Sequence, residues 1–481
     1  MREEGLGMKE RTRKETTFGQ ALLILILSIG ILMYGIIGLK LDPQIPLLLA
    51  SIVCVIYAVY LGIPWKEIEQ KSTTIIGESI QAMIIIMLIG MLVGSWMACG
   101  TVPYVIYWGL KILSPSWFLV ASLIICSIMS MATGSSWTTM GTIGVALMGV
   151  GYGLGIPVGV TAGAIVCGAY FGDKQSPLSD TSNFAAAVAK VDIYDCVRSM
   201  IYSTGPALVV SGIIFTVLGF QYSGKVVDTT EVDIMMNGIA GAFNMSPLLL
   251  LPPVVLIALI IKKVPAIPGM VAAILMGVVL MVALQGETLS ASLGYLQSGF
   301  VGNTGIEKID ALLTRGGLSS MMFTISLMFV SLFLASLLEV TGVTVALISK
   351  MTKVVNNRVS LITVTILSGM GLNYFAADPY LATLLPGRTF APAFDKLNLD
   401  RKVLSRTIQD GGIVFAPLVP WGSNGIYAAA VLGVPVLTFM PYYFMYITPI
   451  FSIICAITGF GIWYTDGRGK KKKTGESTAN A

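Results

Sequence analysis

The chain has 481 residues, of which 55% are hydrophobic and only 11% charged, where a soluble domain carries about 25% charged residues. That balance excludes an ordinary soluble enzyme and predicts an all-α polytopic membrane protein, because many runs approach the ~20 residues that cross a bilayer. The net charge of +5 does not indicate nucleic acid, since the basic residues sit in tails and short connectors where topology signals belong.

In chain order, a charged N-terminal tail (1–19) precedes a first span with no small-residue cleavage site, so the span is expected to be retained. Apolar runs then fall at 21–38, 45–62, 79–99, 117–132, 140–172, 201–220, 247–261, 267–286, 317–339, 359–376, 404–419 and 434–464. The segment 103–113 is short and amphipathic and reads as an arm lying in the membrane interface. The pair 117–132 and 140–153, with TGSSWTT between them, reads as a re-entrant hairpin. Pro177 and Pro417 interrupt later runs, and a broken helix frees backbone groups that can line a cavity.

The chain also resembles itself. Pro177-Leu178 followed by Ser182-Asn183 recurs as Pro417-Leu418 followed by Ser423-Asn424, and Ile45-Pro46 recurs as Ile267-Pro268. Two membrane repeats are expected, 20–220 and 247–465, joined by an extracellular linker (221–246) and followed by a basic cytoplasmic tail (466–481). Five crossings are counted in the first half, and an odd count makes the second repeat inverted. With the N-terminus cytoplasmic, 25 of the 30 Lys and Arg fall on the inner side, in accord with the positive-inside rule.

Residues able to carry chemistry cluster at the interruptions. The chain has no histidine, which removes zinc-protease, Ser-His-Asp and imidazole-relay chemistry, and no phosphate-binding loop is found, so neither an enzyme nor a cofactor is expected. An intramembrane aspartyl protease would order its motifs the other way: here Gly172-Asp173 precedes Tyr194-Asp195. The six cysteines lack CxxC spacing and read as packing residues.

The stretch GDKQSPLSDTSN (172–183) places Asp173, Lys174 and Asp180 between apolar runs, where charge is costly and marks a functional site by default. A Na+ site needs oxygen ligands. Asp180, Thr181, Ser182 and Asn183 supply them beside Ser423 and Asn424, with Thr133 and Ser135 from the hairpin and Asn373 from its counterpart. Asp180, Asp173, Asp378 and Asp410 are candidates for carrying the proton. Singly, hydroxyls such as Ser136, Thr138 and Ser179 serve equally well as helix-to-helix bonds, and Glu78 and Glu339 read as solvated span ends. Arg388 could bind an organic carboxylate or follow the positive-inside rule.

GDKQSPLSDTSNFAAAVAKVD (172–192), the TGSSW tip and PLVPWGSN of the second half closely resemble the NhaC-type Na+/H+ antiporter family. That resemblance implies exchange of Na+ for H+ by a carrier expected, from its apolar runs and charge placement, to be multi-pass in the cytoplasmic membrane with both termini inside. By similarity to hairpin-bearing dicarboxylate carriers it also implies an elevator-type motion and, by analogy, a homodimer. Some relatives exchange malate and lactate or carry amino acids, so exchange of small organic acids or amino acids is the alternative.

Overall fold

The computed structural model describes residues 14–223, 229–262 and 264–465. The expected tail from 466, residues 1–13 of the N-terminal tail and 224–228 of the expected linker lie outside them. Among the described residues the chain is helical, and two isolated bridges, Phe300 with Arg315 and Leu399 with Tyr464, are its only extended pairing.

Helix α1 (Phe18–Met33) opens on a capping box, in which Thr17 and Gln20 satisfy each other's backbone N–H groups. Helix α2 (Gln44–Leu61) stops at Gly62, which takes the left-handed conformation that lacks a penalty only for glycine. The connector expected at 63–78 is helical instead: α3 runs unbroken from Trp65 to Ala98. Its 34 residues span about 51 Å, well over the ~30 Å hydrocarbon core, so the charged first turns continue the span beyond the lipid.

The segment expected to lie as an interfacial arm is α4 (Thr101–Ile112). One face packs on the protein rather than on lipid: Ile106 sits so close to Gly149 that a Cβ there would meet it at 2.3 Å. Helix α5 (Pro115–Thr133) ends at left-handed Gly134, and the chain resumes as α6 (Ser136–Thr139), a π turn and α7 (Val145–Gly153). Pro157 divides the long run expected at 140–172, and α8 (Val158–Gln175) follows.

A glycine seam lets α8 lie directly on α5. A Cβ at Gly168 would stand 2.4 Å from the Leu123 carbonyl, and one at Gly172 would stand 2.3 Å from that of Ser127. Small residues of this kind are how membrane helices approach closely. After a four-residue break come α9 (Asp180–Ala189) and α10 (Ile193–Ser223).

The second half continues with α11 (Thr229–Ala242), α12 (Leu251–Ile261), α13 (Ala266–Leu284), α14 (Leu289–Ser298), α15 (Glu307–Leu313) and α16 (Leu318–Val340). It closes with α17 (Val343–Met351), α18 (Arg358–Ala376), α19 (Pro379–Lys396), α20 (Arg401–Gly412), α21 (Ser423–Leu432), α22 (Val436–Phe439) and α23 (Thr448–Thr458). Among the described residues eight helices are long and apolar enough to cross a bilayer, and two further bent pairs, Val232–Ala242 with Pro247–Ile261 and Ser423–Leu432 with Val436–Tyr442, turn by 96° and 84°. Helix α1 turns Leu23, Ile26 and Leu27 outward, as a lipid-facing helix does. This is an all-α, multi-pass membrane protein.

The two halves repeat the same local events. A long helix ends, a left-handed glycine follows (Gly100, Gly342), and a short helix leads to α5 or α18. Left-handed breaks then occur at 134 and 377, N-caps at 135 and 378, helix starts at 180 and 423, and left-handed stops at 190 and 433; each pair is 243 positions apart. This corrects the repeat register: Ser423 stands where Asp180 stands, so Ser182-Asn183 and Ser423-Asn424 are not structural equivalents. The letters match at an offset of 240 for Pro177 and Pro417 and 241 for Ser182 and Ser423, whereas the turns that fix the backbone match at 243.

Between α14 and α16, Asp310 gathers the loop that precedes it, accepting from Thr304 N–H at 2.6 Å, from the Thr304 hydroxyl at 2.8 Å and from Gly305 N–H at 3.2 Å. The Thr304 amide, then its hydroxyl and the Gly305 amide, hold this carboxyl below the usual carboxylate range. A depressed folded value means loop stability that is present above the ordinary carboxylate range and is lost as pH falls through the folded value. Asp310→Ala should therefore speed amide exchange at Thr304 and Gly305 at neutral pH, while at strongly acid pH mutant and parent exchange alike; equal rates at both pH values would count against this clasp.

Candidate functional site

The break between α8 and α9 is built from hydroxyls. Ser176 donates to the Met131 carbonyl at 2.7 Å, tying the break to the end of α5. Ser179 caps α9 by accepting from Ser182 N–H, and it donates to Asp173 Oδ1 at 2.5 Å. Ser136, from the tip of the first hairpin, donates to Asp173 Oδ2 at 2.7 Å. Both oxygens of a buried carboxylate are thus held by hydroxyls from two elements. Asp180, at the first turn of α9, accepts from the Tyr380 hydroxyl at 2.6 Å and from its neighbour Thr181 N–H at 2.9 Å.

The second break, between α20 and α21, has a different anchor. Asn373 donates to the carbonyls of Gly369 and Gly411, and to that of Gly412 as well, satisfying carbonyls that the end of α20 leaves open. Trp421 donates from its indole to Tyr374 O at 2.8 Å, and Ser331 donates to Trp421 O at 2.8 Å. Asp378 caps α19 by accepting from Leu381 N–H at 2.7 Å.

The first hairpin meets the helix after the second break at an aromatic clasp. Trp137 stacks on Tyr427 with ring centres 4.2 Å apart and planes 7° from parallel. The Trp137 indole donates to Asn424 Oδ1 at 2.6 Å, and the Tyr427 hydroxyl donates to the Trp137 carbonyl at 2.6 Å. The tip of the first hairpin is therefore bonded directly to the helix that follows the second break.

These elements enclose a cavity of about 690 Å3. Of the residues assigned from sequence to ion binding, proton transfer or anion binding, Asp173, Asp180, Thr181, Ser135, Asp378, Ser423 and Asn424 line it. Six others do not. Thr133 makes only long contacts with the Ser130 and Ser135 backbone. Ser182 donates to Lys174 O at 3.1 Å, and Asn183 donates back to Pro177 O and Ser179 O, closing the break on itself. Asn373 is committed to backbone carbonyls, as above. Asp410 is fully buried and ion-paired with Lys174. Arg388 lies exposed on α19, outside the cavity lining.

Sequence reasoning gave no site role to Glu78, Glu339, Lys71, Tyr170 and Tyr380, which line the same cavity. Glu339 pairs with Lys71 across α3 and α16 at 2.6 Å. The two glutamates, one just before and one at the end of an apolar run, carried the only signal, and reading them as solvated span ends hid it. Ser136 and Ser179, for which a site role and helix-to-helix bonding stood level in the sequence, are the two direct partners of Asp173.

A profile of the Na+/H+ antiporter family matches residues 168–460, from within α8 through both breaks. The chain belongs to the NhaC-type Na+/H+ antiporter family. It is 38% identical over 451 residues to a "Na(+)/H(+) antiporter NhaC" of Alkalihalophilus pseudofirmus, covering 93% of this chain and 97% of that one. It is also 36% identical to a "Malate-2H(+)/Na(+)-lactate antiporter" of Bacillus subtilis (93% and 96% covered) and 37% identical to an "Arginine/ornithine antiporter ArcD" of Halobacterium salinarum (97% of each). In this antiporter the matched region holds Asp173, Asp180 and Asp378, whereas the hydroxyl-bearing tip of the first hairpin and Glu78 lie before it.

Chemically, the cavity offers hard oxygen ligands in quantity: three aspartates and the hydroxyls of Ser135, Ser136, Thr138, Thr181 and Ser423. Oxygen-rich sets of this kind suit alkali cations over soft metals. Among the described residues no cluster of three or more His, Cys, Asp or Glu has the geometry of a tightly held metal centre. A weak, releasable cation site is what this donor set can form.

Proposed function

We propose that this antiporter exchanges Na+ for H+ across the cytoplasmic membrane, with both termini inside, and that Asp180 and Asp173 form the shared site. The observation that supports this reading best is the pair of carboxylates at one helix break, lining one cavity with hydroxyls from both halves. Na+ binds Asp180 with hydroxyl oxygens around it, and a proton neutralises the same carboxylate on the return. Competition for one anionic site couples the two fluxes.

In this proposal the halves are inverted repeats; the common spacing of 243 supports their being repeats, and the inversion follows from the odd number of crossings assigned to the first half. Alternating access is of elevator type in a homodimer, by analogy with other hairpin-bearing carriers. Exchange of small organic acids is the weaker reading, because Lys71 is the one cationic side chain among the described cavity-lining residues and already pairs with Glu339.

Purified protein in proteoliposomes carrying a pH gradient should release protons on addition of Na+ or Li+, and not on addition of malate, lactate or neutral amino acids. Proton release driven by malate or lactate with no response to Na+ would replace the first reading with the second.

A further inference from the structure

The cavity is far larger than an alkali ion requires. Its ~690 Å3 would hold roughly twenty waters at about 30 Å3 each, and it falls in the range of sites that enclose organic ligands. Its charge is one-sided. Glu78, Asp173, Asp180, Glu339 and Asp378 line it against one lysine, Lys71, which is spent on Glu339.

The walls are not those of a simple ion path. Phe184, Leu381, Leu384 and Met328 give apolar surface between the carboxylates. Tyr380 carries its hydroxyl to Asp180 and meets Phe184 edge-on, with ring centres 5.1 Å apart. Carboxylates framed by aromatic rings are the chemistry that recognises ammonium and guanidinium groups.

A second observation points to a ligand with several N–H donors. Tyr170 is 3% exposed, lines the cavity, and its hydroxyl has no partner in the protein. It sits one helical turn before Asp173 on α8, so the two groups share a face. A planar guanidinium, with donors spread across its fork, can reach a carboxylate and a neighbouring hydroxyl together.

We propose that the cavity binds organic monocations, with an ammonium or guanidinium head at Asp173 and Asp180 and an apolar body against Phe184, Leu381 and Leu384. The ligand carries no carboxylate of its own, since no free cationic side chain faces one among the described residues. This inference rests on the assignment of Asp173 and Asp180 as the cation site. It extends that site from alkali ions to organic cations as competitors or cargo.

The test uses full-length protein and three probes of one shape: phenethylguanidinium, the neutral phenethylurea and the anionic phenylacetate. In calorimetry on the detergent-solubilised protein only the guanidinium should bind, and binding should be lost in Asp180→Asn. In proteoliposomes it should raise the apparent KM for Na+ about ten-fold when present at ten times its own Kd. Leu384→Trp, which narrows the apolar end, should weaken guanidinium binding about ten-fold or more while Na+/H+ exchange stays within about two-fold of the parent.

Na+/H+ exchange without guanidinium binding overturns the organic-cation inference and leaves the exchange reading intact. Equal binding of the urea also overturns it, because apolar partition would then suffice. Asp180-dependent guanidinium binding in a protein with no Na+/H+ exchange upholds the inference and removes the exchange reading. If Leu384→Trp loses both activities, the parent and Asp180→Asn binding data decide alone.

Discussion

Asp180→Asn should insert and fold at parental levels while Na+-dependent proton flux falls about a hundred-fold or more. The amide keeps the shape of the carboxylate: its oxygen can accept from Thr181 N–H, and its NH2 can donate to the Tyr380 hydroxyl, which turns to accept. What it loses is the negative charge and the capacity to trade a proton for a cation. The stability cost includes the favourable effect of an acid in the first turn of α9, about 0.3–1 kcal/mol, and the exchange of the charge-assisted bond from Tyr380 for a neutral one.

Asp173→Asn separates the roles of the two acids. Asp173 is held by two hydroxyls that can rotate to suit an amide, so the fold should tolerate the change. Exchange should persist weakly with a raised KM for Na+ if Asp180 carries the proton. Undiminished Na+-dependent flux in Asp180→Asn, measured beside Asp173→Asn in the same vesicles, would refute the assignment.

Lys174→Met alone should be among the most damaging single substitutions in the chain. Lys174 and Asp410 are 1% and 0% exposed and pair across α8 and α20. Without the lysine, Asp410 keeps the Ser203 hydroxyl at 3.1 Å, while its other oxygen has no partner in the protein. Removing one member of a buried pair costs about 3–5 kcal/mol, because the remaining charge is stranded, whereas replacing both members is often neutral.

The double variant Lys174→Met/Asp410→Leu should therefore regain most of the thermal stability lost by either single change. Melting of the detergent-purified proteins measures this directly. Single variants that melt with the parent would show that the pair contributes nothing to the fold. Exchange by the double variant then reports on Asp410: flux near the parent's would remove it from the proton candidates.

The first half of the site is legible in the sequence because charge inside an apolar run is costly enough to stand out. Asp173 and Lys174 are adjacent, and adjacent helical residues face different ways. That geometry sends Asp173 to the cavity and Lys174 to Asp410. The second half is less legible. Ser-Asn letters suggest one register and the left-handed turns at Gly134 and Ala377 another, and only backbone conformation decides between them. Tyr380 is silent in sequence because its partner, Asp180, lies 200 residues away. Arg388, selected for its charge, sits on α19 beyond the cavity lining.

The ring pair of Trp137 and Tyr427, with its two flanking hydrogen bonds, bears on which parts can travel together. Pulling the first hairpin away from α21 forfeits stacking of about 0.5–1.5 kcal/mol and leaves an indole N–H and a phenol to find new acceptors within a buried seam. A displacement of the first hairpin is thus cheapest when α21 moves with it as a single body.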